Sequence, residues 1–247
     1  MPNLIDKLFA VGAHYGVSSS RRHPAAVPFL FGVKGGVELF DLEKTSALLE
    51  TALECIATLA GARKVVLFVG SKAEAREGIR RTADSLGAPY VAGRWIGGTL
   101  TNWAEIKKRL TRLAEISAMK ESGEINKFTK RERVLIDREA DDLERMFGGL
   151  KGLARVPDAL VVIDPRTEAG AVAEAHQLNI PVVALLNSDC DANLITYPIP
   201  GNDASRATVE YILSEIATSY SEHLGAAPAQ PSAPTPTTTN GDNDRTN

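Results

Sequence analysis

Two uninterrupted apolar runs, Val65-Val66-Leu67-Phe68-Val69 and Ala159-Leu160-Val161-Val162-Ile163, constrain this chain more than any other feature in it. A strand whose consecutive residues are all apolar cannot keep one face in water, so each run reads as a strand covered on both sides. The flanking residues agree. Gly70-Ser71 leads from the first run into a helical stretch reaching about Leu86, and Asp164-Pro165 leads from the second into a helix around Glu168–Leu178, then into Ile180–Leu186. Buried strands alternating with helices of about 10–15 residues require right-handed crossovers and a mostly parallel sheet. The expected fold class is α/β, a three-layer Rossmann- or flavodoxin-like parallel sheet, and 247 residues with 44% hydrophobic content suffice for its core.

Residues 101–150 break that alternation. Trp103, Ile106, Leu110 and Leu113 recur at spacings of three and four, as do Ile136, Ala140, Leu143, Phe147 and Leu150. Such heptad-like seams predict two helices that pack on each other, with a break at Glu121-Ser122-Gly123 and a second start near Thr129. The expected insertion is an antiparallel coiled-coil α-hairpin protruding from the core. Nearer the start, Leu4-Ile5 and Leu8-Phe9 predict a short helix over 3–11 closed by Gly12, and residues 13–36 read as an extended arm or loop. Val37–Phe40 reads as a short strand, and Leu49, Ala52, Leu53, Ile56 and Leu59 as one helical stripe ending at Gly61. From about Gly225 the composition turns to Pro, Ala, Thr, Asn and Asp, too poor in apolar surface to offset ordering entropy. The expected organisation is a discontinuous core over 1–100 and 151–224, a hairpin over 101–150 and a disordered tail over 225–247.

No run approaches the ~18 apolar residues that a membrane-spanning helix needs, and the opening residues lack a secretory pattern, so the expected location is the cytoplasm. Cys55 and Cys190 have no CxxC partner, which excludes a disulfide framework or a zinc site built on them. The net charge of −3 argues at first against nucleic acid, but it is unevenly distributed. Residues 72–133 hold fourteen basic against eight acidic side chains, whereas 134–247 hold seven against seventeen. A basic middle and an acidic end suit a molecule with one polyanion-facing side, and equally suit a solvated helical hairpin.

Chemical motifs are weak. Gly70-Ser71-Lys72 resembles a phosphate-binding βα turn but matches neither GxxxxGK[ST] nor GxGxxG, and a glycine needed for a tight turn explains it better. Gly32-Val33-Lys34-Gly35-Gly36 precedes a strand, the wrong order for a dinucleotide site. The alternation Asn187, Asp189, Asp191 fails as a calcium loop because Ala192 and Pro198 stand where glycine and glutamate are needed. Asp164, at the end of a buried strand, lacks a catalytic partner, and His14, His23, His176 and His223 show neither metal spacing nor a nucleophile pairing. Neither a catalytic residue nor a metal or cofactor is expected. The most unusual segment is Arg94-Trp95-Ile96-Gly97-Gly98-Thr99-Leu100-Thr101-Asn102-Trp103, which can pack a junction or present stacking and phosphate contacts to RNA. Arg21-Arg22-His23-Pro24 adds a basic arm able to follow a phosphate backbone.

Several of these segments, in this order, resemble the family of the second protein of the bacterial small ribosomal subunit. Gly12-Ala13-His14-Tyr15-Gly16 with Arg21 and Pro24 is similar to the family's opening, and Phe31-Gly32 with Asp41-Leu42-Glu43-Lys44-Thr45 follows it. Phe68-Val69-Gly70-Ser71-Lys72, Arg94 to Asn102, Pro157-Asp158-Ala159-Leu160 with Val162-Ile163-Asp164, and Ile199-Pro200-Gly201-Asn202-Asp203 complete the series. The chain departs from the family at Val17, where histidine is usual, and at Ala25-Ala26-Val27, which replaces a stretch with two lysines.

The resemblance implies a non-catalytic, cytoplasmic ribosomal component seated between head and body of the small subunit. Its implied partners are ribosomal RNA, neighbouring small-subunit proteins and the large mRNA-binding ribosomal protein that it helps recruit. Candidate RNA-binding residues are Arg21, Arg22, Lys34, Lys72, Arg94, Trp95, Asn102, Trp103, Lys107, Lys108 and Arg109. The alternative is a nucleotide- or phosphosugar-binding enzyme on the same scaffold, since a fold does not determine its function.

Overall fold

A computed structural model describes residues 3–224. In chain order its elements are helix α1 (Leu4–Ala10), strands β1 (Tyr15–Ser18), β2 (Leu30–Lys34) and β3 (Val37–Phe40), helix α2 (Leu42–Gly61), strand β4 (Val66–Val69), helix α3 (Ala73–Leu86) and strand β5 (Tyr90–Val91). Helices α4 (Trp103–Glu121) and α5 (Lys130–Phe147) follow, then strand β6 (Ala159–Ile163), helix α6 (Ala169–Gln177), strands β7 (Val182–Leu186) and β8 (Tyr197–Pro200), and helix α7 (Arg206–His223). The tail expectation over 225–247 lies outside the described residues.

Five strands form one all-parallel sheet in the order β5-β4-β6-β7-β8. Both apolar runs lie inside it apart from Val65, which precedes β4 and is half-buried, and every residue of β4 and β6 is buried. Side chains alternate across a strand, and here both faces are covered. Val66, Phe68, Val161, Ile163, Val183 and Leu185 pack against α2, α3 and α7, while Leu67, Val69, Leu160, Val162, Ala184 and Leu186 pack on the side of α6 and the α4–α5 pair. The result is the three-layer α/β sandwich of a Rossmann-like fold. β8 carries Pro198 and Pro200, which an edge strand tolerates because its outer side needs no donors.

Helices α4 and α5 form the expected pair, and the local signals are legible. Ser122 caps α4, Gly123 turns the chain at φ 74°, and Thr129 with Glu132 makes a reciprocal capping box at the start of α5. Ile106, Leu113, Ile116, Ala140, Leu143 and Phe147 are buried in a cluster continuous with the sheet face, and Arg112 bridges to Glu139 across the pair at 3.0 Å.

The arm differs from expectation. Residues 13–36 are not a free arm or loop: Tyr15–Ser18 and Leu30–Lys34 are strands of a second, antiparallel sheet of order β1-β3-β2, joined through short 3-10 turns. Gly35 and Gly36, at φ 60° and 79°, form the two-residue turn that joins β2 to β3, with Lys34 opposite Val37. Sequence alternation hid this sheet because its outer face is apolar; Phe31 is 80% exposed. The sheet is fastened to the loop after β7. His23 donates its backbone N–H to the Ser188 carbonyl at 2.8 Å, Val17 donates to Ser188 Oγ at 3.0 Å, and a Cβ on Gly16 would fall 2.8 Å from that hydroxyl.

Candidate nucleic-acid interface

In the order β5-β4-β6-β7-β8 the chain runs outward from β4 to β5, then returns to the other side of β4 as β6. Open α/β sheets bind ligands in the crevice where the order reverses, beyond the carboxyl ends of the strands. Here that place holds Ser71 and Lys72 after β4 and Asp164, Arg166 and Glu168 after β6, joined by Asn187 and Asp189 after β7 and Asp203 after β8.

Those groups satisfy one another. Glu168 accepts hydrogen bonds from the Ser71 backbone N–H, at 2.7 Å, and from the Ser71 hydroxyl. The N–H that a βα turn would offer a phosphate is therefore occupied by the protein's own carboxylate. Burial raises the Glu168 carboxyl above its usual range, with the Ser71 bonds opposing. Lys72 bridges Asp203 at 3.1 Å and Asp164 at 3.4 Å. Burial works against its charge, but Asp203 and then Asp164 outweigh it and lift the ammonium above the usual lysine value. Asp203, itself raised by burial, also accepts from Asn187 Nδ2 at 2.6 Å. Asp164 stands at φ 61°, a left-handed conformation that Asp tolerates, and caps the following turn by accepting from Thr167 N–H at 3.2 Å and its hydroxyl at 2.8 Å. Arg21 meets Asp189 at 3.0 Å, and Arg166 meets the same carboxylate. The crevice encloses about 440 Å³ lined by three aspartates, Lys72 and two arginines, so a nucleotide phosphate would face a carboxylate beside every cation.

The Arg94-to-Trp103 segment wraps a second internal carboxylate. Glu174 on α6 accepts from Trp95 Nε1 at 3.0 Å, Gly98 N–H at 2.8 Å, Leu100 N–H at 2.9 Å and Thr101 N–H at 3.1 Å, with the Thr101 hydroxyl also at 3.1 Å. Burial opposes its ionisation, yet these donors hold the carboxyl below the usual glutamate range. Gly98, at φ 88°, supplies the turn this wrap needs, and Trp95 packs on Gly170, where a Cβ would lie 3.3 Å from the ring. Asn102 caps α4 through its backbone, and Trp103 packs half-buried on the hairpin cluster. Neither Glu168 nor Glu174 was singled out by sequence reasoning.

The remaining candidate cations divide in two. Arg22 reaches the buried Glu38 at 3.3 Å, and Lys108 makes an exposed pair with Glu105 one turn away at 2.5 Å. Lys34, Arg94, Lys107 and Arg109 are exposed, and no carboxylate of the described residues stands within ion-pair distance of them. Arg94 and Trp95 share a groove, Arg21 and Lys72 share the crevice, and Lys34 sits apart at the β2–β3 turn.

A family model for Ribosomal protein S2 matches residues 8–223. The chain belongs to the ribosomal protein S2 family. Relatives called Small ribosomal subunit protein uS2 agree: one from Syntrophobacter fumaroxidans is 41% identical over 216 residues, covering 87% of this chain and 79% of the relative. Another, from Synechococcus elongatus, is 40% identical over 218 residues, covering 88% and 87%, and one from Helicobacter hepaticus is 40% identical over 209 residues, covering 85% and 79%. Membership makes this chain a structural ribosomal protein and not an enzyme, which removes the nucleotide-enzyme alternative in line with the filled βα turn. Among the described residues, no helix is long and apolar enough to cross a membrane.

Proposed function

We propose that this protein docks on ribosomal RNA of the small subunit, between head and body, and supports recruitment of the large mRNA-binding ribosomal protein. The observation that carries the RNA contact is the set of exposed cations left without a carboxylate, Lys34, Arg94, Lys107 and Arg109. An exposed cation with no internal partner is available to displace counterions from a phosphate backbone. Arg21 adds to them in part, because two arginines share Asp189 and leave one positive charge over. Lys72 contributes through the fold, holding Asp164 and Asp203 together. Trp95, Asn102 and Trp103 act by shaping the junction that displays Arg94. The hairpin over 101–150 serves as an inserted arm, of coiled-coil type, on a core made of 1–100 and 151–224. Recruitment of the mRNA-binding protein rests on the family resemblance, as does the cytoplasmic location.

The test is co-sedimentation of the full chain with small ribosomal subunits as salt rises. Binding at low salt with release at higher salt is the expected result; recovery in the soluble fraction at every salt concentration would sink the proposal. Replacing Lys107, Lys108 and Arg109 by alanine should flatten the salt slope by about 2, since Lys108 is already paired and ~0.7–0.9 is lost per phosphate contact.

A further inference from the structure

Beside the filled crevice lies a groove that is basic and open. Arg76 and Arg80 stand one turn apart on α3 and so project from the same face. Opposite them are Arg94, from the connection after β5, and Arg145, in the last turn of α5. Three hollows run together here. One of about 540 Å³ and one of about 590 Å³ share Arg76, Gly93, Arg145 and Met146, and a third of about 400 Å³ continues past Arg76, Arg94 and Trp95.

Two carboxylates, Glu144 and Glu168, also line the hollows; Glu168 is engaged by the Ser71 N–H and hydroxyl and stands within electrostatic reach of Arg76. Arg80 and Arg94 have no carboxylate of the described residues within ion-pair distance. Arg76 donates Nε to the Ser71 carbonyl at 2.6 Å, which orients its outer nitrogens. Arg145 meets only Asp142, at 2.5 Å on an exposed surface where such a pair is weak, and Glu144 is matched by Lys151 at 2.5 Å. The surface between the arginines includes Gly93 and Gly97, so a ligand's backbone can come close to the main chain there. A Cβ on Gly97 would meet nothing within 4 Å.

Resting on the RNA-docking reading above, we propose that this arginine groove seats the sugar–phosphate backbone of one RNA strand, several nucleotides long. Arginine is suited to phosphate because its planar fork donates two parallel hydrogen bonds. The run of three hollows exceeds what a single inorganic anion would fill, and the four arginines come from three separate elements, so successive phosphates can each meet a different one.

The test uses the full chain and transcribed small-subunit ribosomal RNA, with affinity measured across salt concentrations and folding followed by circular dichroism. The Arg80→Ala/Arg94→Ala/Arg145→Ala variant should lower the salt slope by about 2, given ~0.7 per single-strand phosphate contact. From ~50 to ~200 mM salt the unaltered protein should then lose about 16-fold more affinity than the variant. Gly97→Glu is a second, independent variant: it adds an anion to the groove without a steric clash, and should weaken binding while melting with the parent. If both variants bind as the parent does while Lys107→Ala/Arg109→Ala weakens binding, the groove proposal is overturned and the RNA reading stands. If the unaltered chain fails to bind the transcript at any salt concentration, both fall. Should the triple variant misfold, the Gly97→Glu result decides.

Discussion

Removing the carboxylate of Glu174 tests whether the Arg94-to-Trp103 segment is held by one side chain. In Glu174→Ala five donor contacts lose their acceptor: Trp95 Nε1, three backbone N–H groups and the Thr101 hydroxyl. The two Thr101 donors are exposed and rehydrate at little cost, whereas Trp95 and Gly98 are half-buried and Leu100 is buried. A hydrogen bond to a charged group contributes about 1.5–3 kcal/mol, and partial exposure reduces it, so three such donors amount to about 3–4 kcal/mol. For a protein of this size ~1 kcal/mol moves the melting temperature by ~2–4 °C, and the expected fall is about 6–16 °C. Glu174→Gln should lose about half as much, because one oxygen survives while the new amide faces donors. Thermal and urea unfolding measure both variants, and Trp95 fluorescence reports the loosened segment. A loss below about 1 kcal/mol in the alanine variant would refute the idea that this carboxylate organises the junction.

Lys72→Met leaves Asp164 and Asp203 facing each other, and should destabilise the protein by about 2–4 kcal/mol near neutral pH in urea titrations. That deficit should shrink towards acid pH, because Asp203 already has a raised carboxyl and a protonated Asp203 needs no cation. Asp158 behaves in the opposite sense: although burial opposes its charge, Arg155, the Val65 N–H and Lys64 hold it down at about 2 from 3.8. With a depressed folded value, its contribution of about 1–2 kcal/mol is present above pH ~4 and lost as the pH falls through ~2, and acid unfolding of Asp158→Asn should lack that step. Gly149→Ala would drive a Cβ into the Tyr90 carbonyl and to 2.8 Å from its ring, so a loss of about 1–3 kcal/mol in calorimetry is expected, with no loss pointing to a slack junction there.

The elements that local chemistry specifies were readable in advance. Leu4–Ala10 is capped by Val11 just before left-handed Gly12, α3 ends in left-handed Gly87, and Thr129 and Glu132 start α5 where the capping signature stands. Each depends on neighbours within a turn of helix. Less was visible where a residue's role contradicts its usual preference: with Pro198 and Pro200 in it, β8 carries no strand signature, and the exposed Phe31 and Val33 disguised an edge strand. At the candidate interface, Arg94, Lys107 and Arg109 stand exposed as their charge suggested. Arg76, Arg80 and Arg145 went unmarked because they join Arg94 only through the crossing of α3, β5 and α5.

By itself, then, the sequence determined the doubly covered strands β4, β6 and β7 and the amphipathic helices with the faces they bury, since apolar periodicity is a local record of the solvent boundary. Only the tertiary structure decided which charges are free. Glu168 lies 97 residues from Ser71, Glu174 lies 76 from Gly98, and Asp203 comes from beyond the far edge strand to reach Lys72. An ion pair or a filled N–H depends on distances of about 3 Å between groups that the chain order keeps far apart. That closeness arises when parallel crossovers bring the carboxyl ends of β4, β6, β7 and β8 to one rim.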